Sequence, residues 1–337
     1  MSKKNSRILF IKPWPSSSFI TNDEEILKKH YDVNIIDRTF EKHMILKVLK
    51  ILLKKDVDLI FIWFAAHYFA PIVFLSRLFR IPSVIIVGGY DVANLPEINY
   101  GQFASSWHVK QRARFVLKYA NKILVVDPSL KEDAIKNAKI KGKNIDYLPT
   151  VYDANFWKPK GKKENIVLTV AMVSDMKKVK LKGLDVFIKS AKHVKETKFI
   201  IIGIKDQAKK QIEMILPSNV ELIEFLPKKK LLKYYQIAKV YCQLSLREGL
   251  PNALCEAMLC ECIPIGTKYC GIPTAIGDTG FYVSFRDHIE TAEAIRKALK
   301  NINLGKKARD RIKTNFPLTL REVKLVKLIN SMIKEGD

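Results

Sequence analysis

The chain has 337 residues, 48% hydrophobic and 28% charged, with 14 glycines and 14 prolines. That length suggests two domains, and the composition excludes a disordered, collagen-like or low-complexity chain. Lys and Arg number 59 against 34 Asp and Glu, a net charge of +25, and a field of that sign draws nucleic acid, anionic lipid headgroups or phosphorylated substrates.

The N-terminal stretch Met1–Arg7 is basic, and the apolar Ile8–Ile11 after it is too short for a signal-peptide core. A cytoplasmic protein is expected. Apolar runs at Arg7–Lys12, Val33–Asp37, Leu59–Phe64, Val84–Val87 and Ile123–Val126 read as strands. Helical patterns lie between them at Glu24–His30, His43–Lys55, Pro71–Arg80 and Ser105–Ala120. The uncharged run Leu59–Ser76 contains His67 and Pro71, and opens β-branched and aromatic. It reads as a buried strand entering a buried helix, not as a membrane span. The rhythm breaks at Lys158-Pro159-Lys160-Gly161-Lys162-Lys163, a linker composition. It resumes with strands at Ile166–Val173, Phe199–Gly203, Val220–Phe225, Val240–Leu244 and Cys262–Gly266. Helices are expected at Leu184–Lys195, Gln207–Leu216, Lys229–Ala238, Asp287–Lys300 and Leu318–Lys334. Continuous apolar strands separated by helices imply parallel sheets covered on both faces. The expectation is an α/β chain of two doubly wound domains with a ligand at the strands' carboxyl ends. The five cysteines, Cys242, Cys255, Cys260, Cys262 and Cys270, have no zinc-ligand spacing and are expected to be reduced thiols.

The most informative stretch runs from Ser245 to Met258: S-L-R-E-G-L-P-N-A-L-C-E-A-M. A strand ends, a glycine turn follows, and a helix begins with Pro251 in a tolerated early position. The amides of Gly249, Leu250, Asn252 and Ala253 then point outward, which makes an anion site. Glu256, one turn further, is placed to accept hydrogen bonds from sugar hydroxyls, and Glu248 stands before the turn. The alternative makes Glu248 a solvated loop acid and Glu256 a partner of the helix dipole.

Two glutamates with seven residues between them, in E-G-L-P-N-A-L-C-E-A-M, resemble the signature of retaining glycosyltransferases of family 4. Ile263-Pro264-Ile265-Gly266-Thr267, Gly271-Ile272-Pro273 and Gly277-Asp278-Thr279-Gly280-Phe281 extend that resemblance. It implies the GT-B fold: two Rossmann-like parallel-sheet domains facing a central cleft, with the C-terminal helix crossing back to the first. The domains expected are 1–158 for the acceptor, 159–316 for the nucleotide sugar and 317–337 for the C-terminal helix. By resemblance, Glu256 holds the ribose, Glu248 holds the transferred sugar, and the amides after Gly249 hold the diphosphate. Lys182, in Lys180-Leu181-Lys182-Gly183, is the expected cation on the leaving diphosphate; otherwise it is one solvated lysine among many. The family's arginine after the preceding strand is replaced here by Ala171-Met172, with Lys177, Lys178 and Lys180 nearby. No metal and no cofactor beyond the nucleotide sugar are implied.

In the first half, Gly88-Gly89-Tyr90-Asp91 follows a strand, where many relatives carry His-Gly. Asp91 either touches the acceptor or transferred sugar or caps its own turn. His67 either faces the cleft or is a satisfied core histidine. The loop Pro13–Phe19 is serine- and aromatic-rich where relatives are glycine-rich. The helix Lys42–Lys55 is both basic and apolar; it rests on an anionic membrane surface or packs on the core with a solvated basic face. The expected reaction is retaining, metal-independent transfer from a nucleoside-diphosphate sugar to a glycan or lipid-linked acceptor. A nucleotide-sugar epimerase of the same fold is the rival enzyme. A nucleic-acid partner is not expected, because the basic residues are diffuse and no binding motif is present.

Overall fold

The computed structural model describes residues 6–13, 17–37, 43–214, 216–301 and 303–334. Of the expected features, Lys42 and Trp14-Pro15-Ser16 lie outside the described residues. The chain divides into two compact units, Met1–Val151 with Leu318–Asp337, and Tyr152–Pro317.

The first unit runs β1 (Arg7–Lys12), α1 (Ser18–His30), β2 (Asp32–Asp37), α2 (Met44–Leu53), β3 (Leu59–Trp63), α3 (Ala70–Leu78), β4 (Ser83–Val87), α4 (Trp107–Tyr119), β5 (Lys122–Val125), α5 (Pro128–Ala138) and β6 (Ile145–Tyr147). Its six strands are all parallel, in the order β2-β1-β3-β4-β5-β6. Leu59–Trp63 and Ser83–Val87 are buried throughout, as central strands covered on both faces must be. The uncharged run is a strand followed by a short helix, and no helix among the described residues is long and apolar enough to cross a membrane.

The second unit runs β7 (Glu164–Val173), α6 (Met176–Leu181), α7 (Leu184–Ala191), β8 (Lys198–Ile204), α8 (Asp206–Glu213), β9 (Val220–Ile223), α9 (Lys228–Ile237), β10 (Ala238–Gln243), α10 (Asn252–Leu259), β11 (Ile263–Thr267), α11 (Gly271–Ile276), β12 (Phe281–Val283), α12 (His288–Lys300) and α13 (Leu304–Asn315). Its sheet is also all parallel, in the order β12-β11-β10-β7-β8-β9. One apolar core, with Phe187, Phe199, Ile201, Val240 and Ile265 among its members, fills the space between sheet and helices. Each unit is a doubly wound Rossmann-like sheet, and two in one chain make the GT-B fold.

The unit boundary falls before the Lys158–Lys163 stretch, because the residues ahead of it are built into the second unit. Trp157 is buried with its ring 5.5 Å from Tyr235, and Tyr152 N donates to Phe316 O at 3.0 Å. The last helix, α14 (Leu318–Lys334), belongs to the first unit. Arg321 on it reaches Asp23 on α1 at 2.5 and 2.8 Å and also donates to the carbonyls of Leu148 and Pro149. Trp63 Nε1 donates to the same carboxylate at 2.9 Å, so both members of this fully buried pair are hydrogen-bonded, as burial of charge requires.

Candidate functional site

In the second sheet, β8 and β9 extend one way from β7, while β10 lies on β7's other side. The chain therefore reverses its direction of travel between β7 and β10. In open parallel sheets that reversal opens a crevice at the strands' carboxyl ends, and ligands bind there. Everything singled out as a site residue in this half of the sequence follows one of those two strands.

After β7 the chain forms α6, then a corner at Lys182-Gly183, then α7. Gly183 caps α7 with φ +66°, and a Cβ there would overlap the Leu244 carbonyl. Leu246 N donates to Leu181 O at 2.9 Å. These contacts press the lysine corner against the chain leaving β10. Lys182 Nζ consequently reaches Glu248 Oε1 at 2.7 Å, with the two side chains 26% and 14% exposed. Glu248 is thus no solvated loop acid. Gln243 Nε2 and Ser245 Oγ also donate to Oε1, at 2.9 and 2.7 Å, and Gln243 donates to Ser245 Oγ at 2.9 Å. Tyr241, Gln243 and Ser245 alternate along one face of β10 and its continuation. Tyr241 OH closes the row on Gln243 Oε1 at 3.3 Å, and burial holds its phenol well above the ordinary range. Gln243 and Ser245 were not foreseen. Their signal was polarity at alternate positions in an otherwise apolar, buried strand.

The turn Gly249-Leu250-Pro251 leads into α10, which starts at Asn252 with no side-chain cap on its first turn. It is packed tightly: a Cβ on Gly271, at the start of α11, would overlap the Gly249 carbonyl. That close approach explains the glycine of Gly271-Ile272-Pro273. Asn252 Oδ1 accepts from Tyr152 OH at 3.0 Å, while Leu250 is buried and Ala253 half-buried. Glu256 lies one turn in and is buried, close enough to Tyr235 and Tyr241 for its charge to raise both phenols beyond what burial does. The lysine after β7 and the glutamate after β10 are therefore brought together. Of the nearby cations, Lys178 pairs with Asp175 at 3.1 Å, and Asp175 Oδ1 caps α6 by accepting from Lys178 N.

Asp91 lies in the other unit, after the carboxyl end of β4. Its carboxylate accepts from Gly88 N at 2.8 Å, the turn-capping arrangement, and burial pushes its carboxyl up to about 6. His67 is a satisfied histidine: its backbone N and Nδ1 meet Gln102 Oε1 at 2.6 and 3.1 Å. Gln102 Nε2 donates to Ala65 O and Asp91 O at 2.8 and 3.0 Å. This buried glutamine, also unforeseen, ties the loops after β3 and β4 together. Asp56-Val57-Asp58 is a D-x-D tripeptide, but it precedes β3, at the opposite sheet end, and both carboxylates meet Arg7, at 3.1 and 3.3 Å. All five cysteines are free thiols.

Residues 153–316 match the family described as Glycosyl transferases group 1, so the second unit carries a glycosyltransferase domain. A subunit of the phosphatidylinositol N-acetylglucosaminyltransferase of Arabidopsis thaliana is 22% identical over 222 residues, 63% of this chain and 49% of the plant protein. The chain thus spans about half the length of that curated relative. Among solved structures, Anabaena HepE in complex with UDP and glucose superposes with a TM-score of 0.77 at 14% identity, covering 97% of this chain and 100% of that one. Sucrose-phosphate synthase from Thermosynechococcus elongatus superposes at 0.80 with 14% identity, covering 98% and 100%. These likenesses establish the shared GT-B fold.

Proposed function

We propose that the chain is a glycosyltransferase that moves a sugar, with retention and without a metal ion, from a nucleoside-diphosphate sugar to a glycan or lipid-linked acceptor. The observation that carries this is the contact of Lys182 with Glu248 at the switch point between β7 and β10. It joins the two sequence motifs that by resemblance grip the diphosphate and the transferred sugar.

In this reading the first-turn amides of α10, at Asn252 and Ala253, and those of Gly249 and Leu250 meet the diphosphate. Lys182 neutralises the charge that builds on the leaving diphosphate as the glycosidic bond breaks. Gln243 and Ser245 fix the direction of Glu248, which accepts from the sugar's hydroxyls and stabilises positive charge at its anomeric carbon. Glu256, buried a turn deeper, accepts from the ribose. Metal independence is proposed because lysine and amides together supply the positive charge the leaving group needs; retention is proposed on the family resemblance. Asp91 is proposed to serve the acceptor side by holding the Gly88–Gly89 turn. No further cofactor and no nucleic-acid partner is part of the proposal, and the site of action is cytoplasmic.

The test is thermal unfolding of the full chain with UDP, GDP, ADP and their sugars; UDP comes first because the similar HepE binds UDP and glucose. A ligand that binds only the folded chain raises the midpoint. The expected result is a rise with one nucleoside diphosphate that Lys182→Ala and Glu256→Ala both diminish. No rise with any of them, or a rise that both variants retain, overturns the reading. Transfer with the best donor in the presence of a chelator, followed by assignment of the product's anomeric configuration, tests the metal and retention clauses.

A further inference from the structure

The basic and apolar helix of the first half has an inner and an outer apolar face. On α2, Val48 and Leu52 are buried in the core, whereas Ile45, Leu46 and Leu53 are 41%, 57% and 62% exposed. The next helix, α3, packs beside α2 and repeats the pattern: Ile72, Val73 and Ser76 point inward, while Phe74 and Leu78 are 56% and 63% exposed. The described charged residues on these helices and within two residues of their ends, Lys47, Lys50, Lys54, Lys55, Arg77 and Arg80, are all cations and all exposed. Not one Asp or Glu occurs from His43 to Lys55 or from Leu59 to Tyr90.

Single exposed apolar residues are ordinary, but five on two adjacent helices need an occupant. The charge pattern says which. The buried centre of a protein–protein contact is depleted of lysine. Here lysines and arginines alternate with the apolar residues, on long stems whose heads can rise to phosphates while the leucines and phenylalanine sink below them. We propose that the outer faces of α2 and α3 form a docking surface for an anionic lipid bilayer. The apolar side chains enter the headgroup–acyl boundary and Lys50, Lys54 and Arg77 meet lipid phosphates. This surface is independent of the donor reading, since none of these residues belongs to the Lys182–Glu248 site.

The test is co-sedimentation of the full chain with vesicles of phosphatidylcholine alone and of phosphatidylcholine mixed with phosphatidylglycerol. The chain is expected to sediment with the mixed vesicles, to stay in solution with the neutral ones, and to be released as salt rises. Leu46→Ser with Leu53→Ser, and separately Lys50→Glu with Lys54→Glu, are each expected to lower partitioning by about tenfold or more. Lys229→Glu with Lys233→Glu, the same charge change on exposed positions of α9, is expected to leave it unaltered. Equal loss from the α9 variant means that diffuse charge is responsible and overturns the proposal. So does sedimentation with neutral vesicles to the same extent, absence of binding, or a concentration-dependent dimer that the leucine variant abolishes without any vesicle binding. Thermal midpoints of the variants identify any that misfold, and the lysine pair, exposed at both positions, keeps the test decisive if the leucine pair does so. Nucleoside-diphosphate binding should match the parent in every variant, so failure here and failure of the donor reading are separable.

Discussion

Lys182 and Glu248 are far apart in sequence and 2.7 Å apart in space, because the strands that deliver them, β7 and β10, are neighbours in the second sheet. Their approach is enforced by backbone, through the Leu246–Leu181 hydrogen bond and the absence of a side chain at Gly183. Three donors meet on one oxygen of Glu248, which fixes that carboxylate in the free chain. Preorganisation of this kind is what lets a charged group act on a transition state without first being reoriented.

Removing the lysine separates binding from folding. The pair is only partly screened from water, so its loss is expected to change unfolding stability by no more than about 1–2 kcal/mol. A charge-assisted contact to a diphosphate is stronger, and Lys182→Ala is expected to weaken nucleoside-diphosphate binding by about 10–100-fold. Calorimetric titration beside thermal unfolding reads both. Unchanged affinity would place the lysine away from the diphosphate.

Gly183 offers a cleaner test of how the corner is built, because Gly161 provides its control. Both have a left-handed backbone, φ +66° and +73°, but only Gly183 is crowded; nothing lies within 4 Å of a Cβ built on Gly161. Gly161→Ala is expected to cost about 1–2 kcal/mol, the backbone penalty alone. Gly183→Ala adds the overlap with Leu244 and is expected to cost several kcal/mol and to weaken nucleotide binding as Lys182 is displaced. Urea midpoints compare the two; equal costs would mean the corner is free to relax.

The legible parts of this molecule were those written in local pattern. Strands with a continuous apolar run, such as Leu59–Trp63 or Lys198–Ile204, are present within a few residues of their expected place. The strands that escaped notice, β6 and β12, have three residues each and lie at sheet edges, too short for any period. Helices α5, α6, α11 and α13 also lie outside the expected ones; in α13 only Leu304, Ala308 and Ile312 mark the inner face among charged residues. At the site, Glu248, Glu256 and Lys182 were visible as motif residues. The meeting of Lys182 with Glu248 was not, because it depends on β10 pairing with β7 rather than with β9, its predecessor in the chain. Sheet order is a tertiary fact, and no local pattern encodes it.

The anchoring of α14 predicts a sharp contrast between adjacent residues. Arg321 and Asp23 are 1% and 0% exposed. Arg321→Leu strands a buried carboxylate with Trp63 Nε1 as the side-chain donor left to it among the described residues, and is expected to cost about 3–5 kcal/mol in the first unit. Glu322, one residue on, meets the more exposed Lys29 and His30, whose hydrogen bonds hold its carboxyl below the usual range. Glu322→Gln breaks pairs that are mostly solvated and is expected to cost less than about 1 kcal/mol. Denaturant unfolding of the two variants measures the ratio; similar costs would mean that the buried pair is not what secures the helix.

Asp91 predicts a pH dependence of definite sign. Burial raises its carboxyl from 3.8 to about 6, while the N–H groups of Gly88, Gly89, Asp91 and Ala65 pull the other way without prevailing. The folded chain therefore holds this proton more tightly than the unfolded one does. Stability from this group is complete below about pH 4, falls as pH rises towards 6, and is lost above it. The span corresponds to roughly 3 kcal/mol of cost at neutral pH. Asn is the neutral isostere and can still accept from Gly88 N. Asp91→Asn is thus expected to match the parent near pH 4 and to exceed it by on the order of 2–3 kcal/mol near pH 8, in thermal or denaturant unfolding. The difference between variant and parent cancels the titration of all other acids. A variant that loses ground as pH rises would show that the four backbone donors outweigh burial and that the ionised carboxylate is the form the fold prefers.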